Sequence, residues 1–234
     1  PSAVGDALYA IDRVVFKDRQ LTLPELVRML KKNIPDPKWA ARLKQLKKYG
    51  NDEAEVDEWT LYVVAAFGRA LDGYVNKRGG KYVMGIYSDT IHEFFGRITG
   101  ALPHGRRKGE SFPSGISPGN GFDRKGPTAL LNSANRFDFT TIPNGVNLNL
   151  KFYPHTVSGE KGRALLSALL KTYFKKGGMQ AQLNVIDTEE LKKARDNPDL
   201  YPNLIVRVSG YTVYFRDLAP AVQDEIIQRS TLAA

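Results

Sequence analysis

The chain contains no cysteine, so none of its residues can act as a thiol nucleophile, bind zinc through a thiolate or form a disulfide. Its three histidines, His92, His104 and His155, lie far apart, and none stands at metal-ligand spacing from another. They read as structural, and no metal is expected. One glycine in an unusual setting remains. Leu-Ile-Val-Arg-Val-Ser-Gly-Tyr-Thr-Val-Tyr-Phe at 204–215 places two apolar, strand-like runs on either side of Gly210, with Arg207 three residues before it and Tyr211 directly after. Taken alone, this is a tight hairpin in which glycine supplies a backbone geometry that other residues resist. A second pattern lies at 144–149, where Asn147 and Asn149 alternate with Val146, Leu148 and Leu150. That spacing gives a strand with one amide face and one apolar face. The amides either satisfy buried loop backbone or approach the Gly210 loop or a substrate.

Arg-Val-Ser-Gly-Tyr at 207–211, the aromatic-rich strand after it, and Asp-Leu-x-Pro-x-Val-Gln-Asp-Glu-Ile-Ile at 217–227 closely resemble the signature of glycyl radical enzymes. Asn-Gly-Val-Asn-Leu-Asn-Leu-Lys-Phe at 144–152, Gly-Pro-Thr-Ala at 126–129, His-Gly-Arg-Arg-Lys-Gly-Glu at 104–110 and Gly-Gly-Met-Gln at 177–180 resemble family segments in the expected order. The whole chain therefore resembles the C-terminal half of an enzyme of the pyruvate formate-lyase-like superfamily. The resemblance implies that Gly210 carries the radical and that Arg207, Ser209 and Tyr211 shape its loop. A backbone radical is stabilised when Cα flattens and shares its electron with the amide nitrogen and the carbonyl. A Cβ would crowd that state, and only glycine lacks one. The radical must also be shielded, which suits buried apolar strands on both sides.

The same resemblance implies no bound cofactor in the chain itself. A separate S-adenosylmethionine-dependent iron–sulfur activating enzyme installs the radical, which then oxidises a cysteine to the thiyl that attacks a small-molecule substrate. In the family that cysteine lies upstream of the matched segments, so its absence here implies truncation, and the cysteine-bearing N-terminal half is an expected partner. The implied fold is α/β: residues 1–155 supply the second half of a ten-stranded β/α barrel, and residues 156–234 the glycyl radical domain. A half-barrel leaves an open sheet edge and an exposed apolar face, so it is not expected to be stable alone. An anaerobic, oxygen-sensitive, cytoplasmic enzyme follows, with a homodimer a common assembly in the family.

Ser-Asp-Thr-Ile-His-Glu-Phe-Phe-Gly at 88–96 looks like the family segment that follows a barrel strand and lines the pocket. If extended, it sets Asp89 and Ile91 on one face. Asp89 is either a surface residue in a turn or a pocket carboxylate that binds a hydroxyl, amine or leaving group, since a buried carboxylate needs such a partner. The first functional expectation is a radical lyase or dehydratase cleaving C–O or C–C bonds of a small polar molecule. Phe94 and Phe95 keep an arylacetate decarboxylase or a fumarate-adding succinate synthase open. A replacement radical-domain subunit without catalysis is the rival from another class, and the long N-terminal part argues against it.

These residues need elements to place them. Residues 6–17 carry apolar positions at helical spacing, and Thr22-Leu-Pro-Glu25 forms a capping box for the next helix. A basic helix is expected over 38–48, and a longer one from Asn51 or Asp52. Strands are expected at 82–87 and 145–152, with a long ordered loop between 104 and 128. Ser158 should cap a helix that stops at Gly177, followed by a strand at 179–186, a short helix from Asp187, the two strands around Gly210, and a last helix from Pro220. The formal charge of +9 permits a polyanion partner. No basic stripe with interleaved aromatics accompanies it, so no nucleic acid is expected, and clusters such as Arg106, Arg107 and Lys108 read as solvated faces or as a partner surface. No apolar run reaches membrane-spanning length, so no membrane partner is expected.

Overall fold

The computed structural model describes residues 1–229 and Leu232. The first third is helical. Helix α1 (Ser2–Ile11) continues into a π-helical turn (Asp12–Lys17), followed by α2 (Leu23–Lys31), α3 (Pro37–Gln45) and α4 (Ala54–Leu71). The capping box forms as expected: Thr22 N donates to Glu25 Oε2 at 2.7 Å, and Glu25 N donates to Thr22 Oγ1 at 3.4 Å. Apolar residues at helical spacing, among them Tyr9, Val14, Leu26, Leu43 and Val56, join these helices in one buried cluster. Helix α3 stops short of Lys48 because that side chain turns inward, its Nζ donating to Leu43 O at 2.8 Å and Leu46 O at 2.9 Å. Helix α4 starts later than expected because Asn51 and Asp52 are engaged elsewhere. Asn51 Nδ2 donates to Phe122 O, and Asp52, at φ +54°, accepts from Asn132 and Arg136.

The middle of the chain holds one helix, α5 (Ile91–Ile98), before the long loop. The strand expected at 82–87 does not form. Ile86 makes a single parallel bridge to Val146, while Tyr82 and Val83 stay exposed. Strand propensity without an adjacent strand yields no ladder. The long loop is ordered by cations expected on the surface. Arg106 is buried, donating to Gly100 O at 2.9 Å and to Gly96 O, with its guanidinium 4.2 Å from the Phe112 ring centroid. Arg107 donates to Ile34 O at 2.9 Å. Both arginines fasten the loop to its surroundings instead of presenting a basic face.

After α6 (Gly126–Ala134) the chain forms β1 (Asn149–Phe152), α7 (Pro154–Val157), α8 (Gly159–Lys175) and β2 (Gln182–Val185). Strands β1 and β2 are parallel, with Asn149 opposite Gln182 and Phe152 opposite Val185, and the two helices make the crossover that parallel strands require. The alternation read from sequence holds: Leu148, Leu150 and Phe152 enter the central core beside Tyr49, Ile116 and Tyr173. Ser158 occupies the position before α8 without capping it, since its Oγ donates to His155 O at 3.1 Å. The last part comprises α9 (Thr188–Asp196), β3 (Ile205–Arg207), β4 (Thr212–Tyr214) and α10 (Pro220–Gln228), packed around Leu191, Val206, Val208, Phe215 and Ile226. No helix among the described residues is long and apolar enough to cross a membrane.

Candidate functional site

Strands β3 and β4 pair antiparallel, with Val206 opposite Val213 and Arg207 opposite Thr212, and Val208 to Tyr211 make the turn. Val208 N donates to Tyr211 O at 3.0 Å. Gly210 has φ +90°, a region that strains any residue with a Cβ. A Cβ built there would meet no atom within 4 Å, so backbone geometry and not crowding calls for glycine. Within this chain alone, the strands cover the loop on one side only. Gly210 and Tyr211 are exposed, and so are Ile205 and Tyr214. The hairpin buries one face only, through Val206, Val208 and Phe215.

What fixes this hairpin is a pair of amides on β2. Gln182 and Asn184 stand two residues apart, hence on one face of the strand, and both are buried. Gly210 N donates to Gln182 Oε1 at 2.7 Å, and Gln182 Nε2 donates to Val208 O at 3.1 Å. One residue pair further along, Arg207 N donates to Asn184 Oδ1 at 2.8 Å and Asn184 Nδ2 donates to Arg207 O at 2.9 Å. Side-chain amides thus replace the backbone ladder that a third strand would have made.

The predicted amides of the 144–149 segment reach the loop at one remove. Asn149 Oδ1 accepts from Gln182 Nε2. Asn147 Nδ2 donates to Ser114 Oγ at 3.1 Å, and Ser114 Oγ donates to Ser209 Oγ at 3.2 Å. Asn147 Oδ1 and Asn149 Nδ2 are buried without a hydrogen-bond partner. Gly115 admits Asn147, because a Cβ at 115 would stand 2.3 Å from both its carbonyl and its side-chain oxygen. From Ser114 the polar chain continues: 3.1 Å separates its Oγ from Ser88 Oγ, and 3.1 Å separates Ser88 Oγ from His92 Nδ1. His92 Nε2 lies at ion-pair distance from Glu225. Glu225 accepts from Arg229 through both oxygens, and Arg229 Nη1 donates to Arg207 O at 3.3 Å. The chain thus returns to the hairpin where it began.

Other predicted residues stand as follows. Arg207 Nη1 donates to Thr212 Oγ1 at 3.4 Å. Asp89 and Ile91 do not share an extended face: Asp89 sits in a turn at φ +46°, and Ile91 begins α5, both exposed. Burial, and next to it the Asp89 carboxylate, raises the Tyr211 phenol above its ordinary value. His104 is buried against Phe122, and burial followed by Lys48 and Arg106 pushes it down to about 3, which keeps it neutral. His155 stacks on Tyr153 at the surface. Sequence reasoning missed Gln182, Asn184, Ser114, Glu225 and Arg229 as partners of the loop. Gln182 and Asn184 carried a signal, since polar amides two apart in an apolar strand repeat the pattern noticed at 147 and 149. Ser114 and Arg229 carried none. Among the described residues, no group of three or more His, Asp or Glu converges on a metal position.

Two family models match the chain, one described as pyruvate formate lyase-like over residues 2–96 and one as glycine radical over residues 112–216. Trans-4-hydroxy-L-proline dehydratase of Clostridioides difficile is 36% identical over 229 residues, covering 97% of this chain and 29% of the dehydratase. Indoleacetate decarboxylase of Tractidigestivibacter scatoligenes is 36% identical over 184 residues, covering 78% of this chain and 21% of the decarboxylase. The glycerol-bound B12-independent glycerol dehydratase of Clostridium butyricum superimposes with a TM-score of 0.97 at 37% identity, covering 100% of this chain and 30% of that one. The chain spans under a third of the length of each of these relatives.

Proposed function

Since this chain belongs to the glycyl radical enzymes and forms part of the pyruvate formate-lyase-like barrel fold with its radical domain, we propose that Gly210 is its radical-bearing residue and that the enzyme is a lyase or dehydratase acting on a small polar substrate. The observation that carries this reading is the setting of Gly210: positive φ at the turn of a hairpin, and a peptide N–H held by Gln182. These residues fit a backbone radical. Glycine has no Cβ to crowd a flattened Cα, and the space around that position is open. A radical held there supplies one unpaired electron, taking a hydrogen atom from a cysteine thiol whose sulfur then takes one from the substrate.

This chain's own residues then position and bind. Arg207 and Ser209 hold the loop, the first through its backbone on Asn184 and Arg229, the second through its hydroxyl on Ser114. Tyr211 closes the turn through its backbone carbonyl, which accepts from Val208 N. Asp89, exposed beside Tyr211, is the carboxylate that accepts a hydrogen bond from a substrate hydroxyl or ammonium, with Ile91 on the apolar side. Asn147 and Asn149 act through Ser114 and Gln182 and not on substrate directly. We assign the thiyl cysteine and the remaining pocket to a preceding half of the same enzyme, and installation of the radical to a separate S-adenosylmethionine-dependent enzyme. Residues 1–155 then belong to the barrel and 156–234 to the radical domain, in an anaerobic cytoplasmic enzyme.

Two relatives, the trans-4-hydroxy-L-proline dehydratase and the glycerol dehydratase, support a substrate bearing a hydroxyl leaving group. The test is a substrate survey with the activated whole enzyme under argon, pairing hydroxylated amino acids and polyols with arylacetates. Loss of water from one of the former supports the reading. Carbon dioxide release from an arylacetate, for which the exposed Phe94–Phe95 pair would be the pocket wall, overturns it.

A further inference from the structure

Among the described residues, Gln182 is the one whose side-chain hydrogen bond falls on the N–H of residue 210 itself. It is 2% exposed and has three partners: Gly210 N, Val208 O and Asn149 Oδ1. Two of these are backbone atoms of fixed polarity, which settles the orientation of the amide. Exchanging its oxygen and nitrogen would aim a donor at the Gly210 N–H and an acceptor at the Val208 carbonyl. The oxygen therefore faces residue 210. Asn184 and Arg229 already fasten Arg207 at the base of the turn, so anchoring of the hairpin does not rest on Gln182 alone.

We infer that Gln182 is a positioning and tuning residue for the radical at Gly210, an inference that rests on the reading of Gly210 given above. When a hydrogen atom passes from Gly210 Cα to a carbon-centred radical on the activating enzyme, one C–H bond breaks and another forms. The electron left on Cα spreads onto the amide nitrogen and the carbonyl of the same residue. An acceptor on the Gly210 N–H polarises that bond and raises electron density on the nitrogen, which favours donation toward the electron-poor Cα. The same contact holds the peptide plane in register with the flattened carbon. Gln182 thereby lengthens the life of the stored radical without touching substrate.

The test uses the whole enzyme, activated under argon by its own activating enzyme, with Gln182→Met to remove the acceptor at similar length and Gln182→Glu to keep one. Electron paramagnetic resonance follows spin per protomer over time, with isotopically labelled glycine nitrogen to report spin on the amide. The expected result is a radical lifetime about fivefold shorter in Q182M, the loss of one hydrogen bond, with an altered nitrogen coupling and recovery of both in Q182E. A coupling change separates tuning from mere loosening of the loop. Equal lifetime and coupling in wild type and Q182M would overturn the inference. Should Q182M fail to fold, electron–nuclear double resonance of the wild type in heavy water decides. A Gly210 amide proton that exchanges slowly supports the contact, and one that is gone at the first time point removes it. A wild-type enzyme that gives no glycine signal at all sinks the reading of Gly210 itself.

Discussion

His92 Nε2 stands 3.4 Å from Glu225 Oε2, each side chain 2% exposed, so one contact ties α5 to α10 beneath the Gly210 hairpin. Glu225 also accepts from Arg229 Nε at 3.0 Å and Nη2 at 2.8 Å. Burial alone would push its carboxyl up, but the Arg229 guanidinium and the adjacent His92 reverse that and hold it at about 2. The Glu225 carboxylate thus faces the His92 ring from one side and the Arg229 guanidinium from the other. From Ser88 the serine hydroxyls run in one direction, Ser88 Oγ donating to Ser114 Oγ and Ser114 Oγ to Ser209 Oγ.

Glu225→Gln is expected to cost about 3 kcal/mol at neutral pH, because the buried Arg229 charge loses its partner. The folded pKa of about 2 lies below the ordinary 4.5, so as pH falls the unfolded chain takes up this proton first. The contribution is complete above 4.5 and disappears as pH falls through 2. Urea melts of wild type and E225Q between neutral and acid pH check this. A stability gap that stays constant with pH would contradict it.

Asn184→Ala removes both hydrogen bonds to Arg207 and leaves its N–H without the Asn184 acceptor, while Arg207 O keeps Arg229 Nη1, an expected loss of about 2 kcal/mol. The loss should be local. Hydrogen exchange should quicken over 205–214 and stay unchanged in α1 to α4, and uniform quickening would show instead that the whole fold had loosened.

Gly115→Ala places a methyl group 2.3 Å from two oxygens of Asn147 at a backbone φ of +57°. Both strain and overlap oppose it, with an expected cost of about 3 kcal/mol. The displaced Asn147 should then release Ser114, so the radical lifetime at Gly210 should fall as well. A G115A enzyme with wild-type stability would mean that the Asn147 contact yields freely.

Much of the fold was legible because its signals are local. Thr22 and Glu25, Asp187 before α9, Gly177 after α8 and Pro220 opening α10 each act within one helical turn, so sequence spacing suffices to find them. The segment at 82–87 failed for the opposite reason. Its side chains suit a strand, but a strand exists only where a second one lies beside it. The candidate site divides the same way. Gly210, Arg207, Ser209 and Tyr211 are neighbours in sequence and were read together. Ser114 lies 95 residues from Ser209, and Gln182 28 from Gly210, so only the folded chain brings them into contact. For Asp89 the sequence leaves a surface turn and an extended pocket strand both open, and the left-handed backbone at Asp89 selects the turn.

Gly210→Ala should fold. No atom opposes the added methyl, and positive φ for alanine costs about 1 kcal/mol. A thermal melt of the whole enzyme carrying G210A should therefore fall by no more than about 3 °C below wild type. A collapse would mean that the glycine serves the fold and not chemistry.

The most direct test of the central claim is electron paramagnetic resonance of the whole enzyme after anaerobic activation, with and without glycine deuterated at Cα. The account predicts a doublet in the wild type from the one hydrogen left on Gly210 Cα, collapse of that doublet on deuteration, and no signal from folded G210A. A doublet that survives in G210A, or one indifferent to glycine deuteration, would place the radical elsewhere and contradict the assignment.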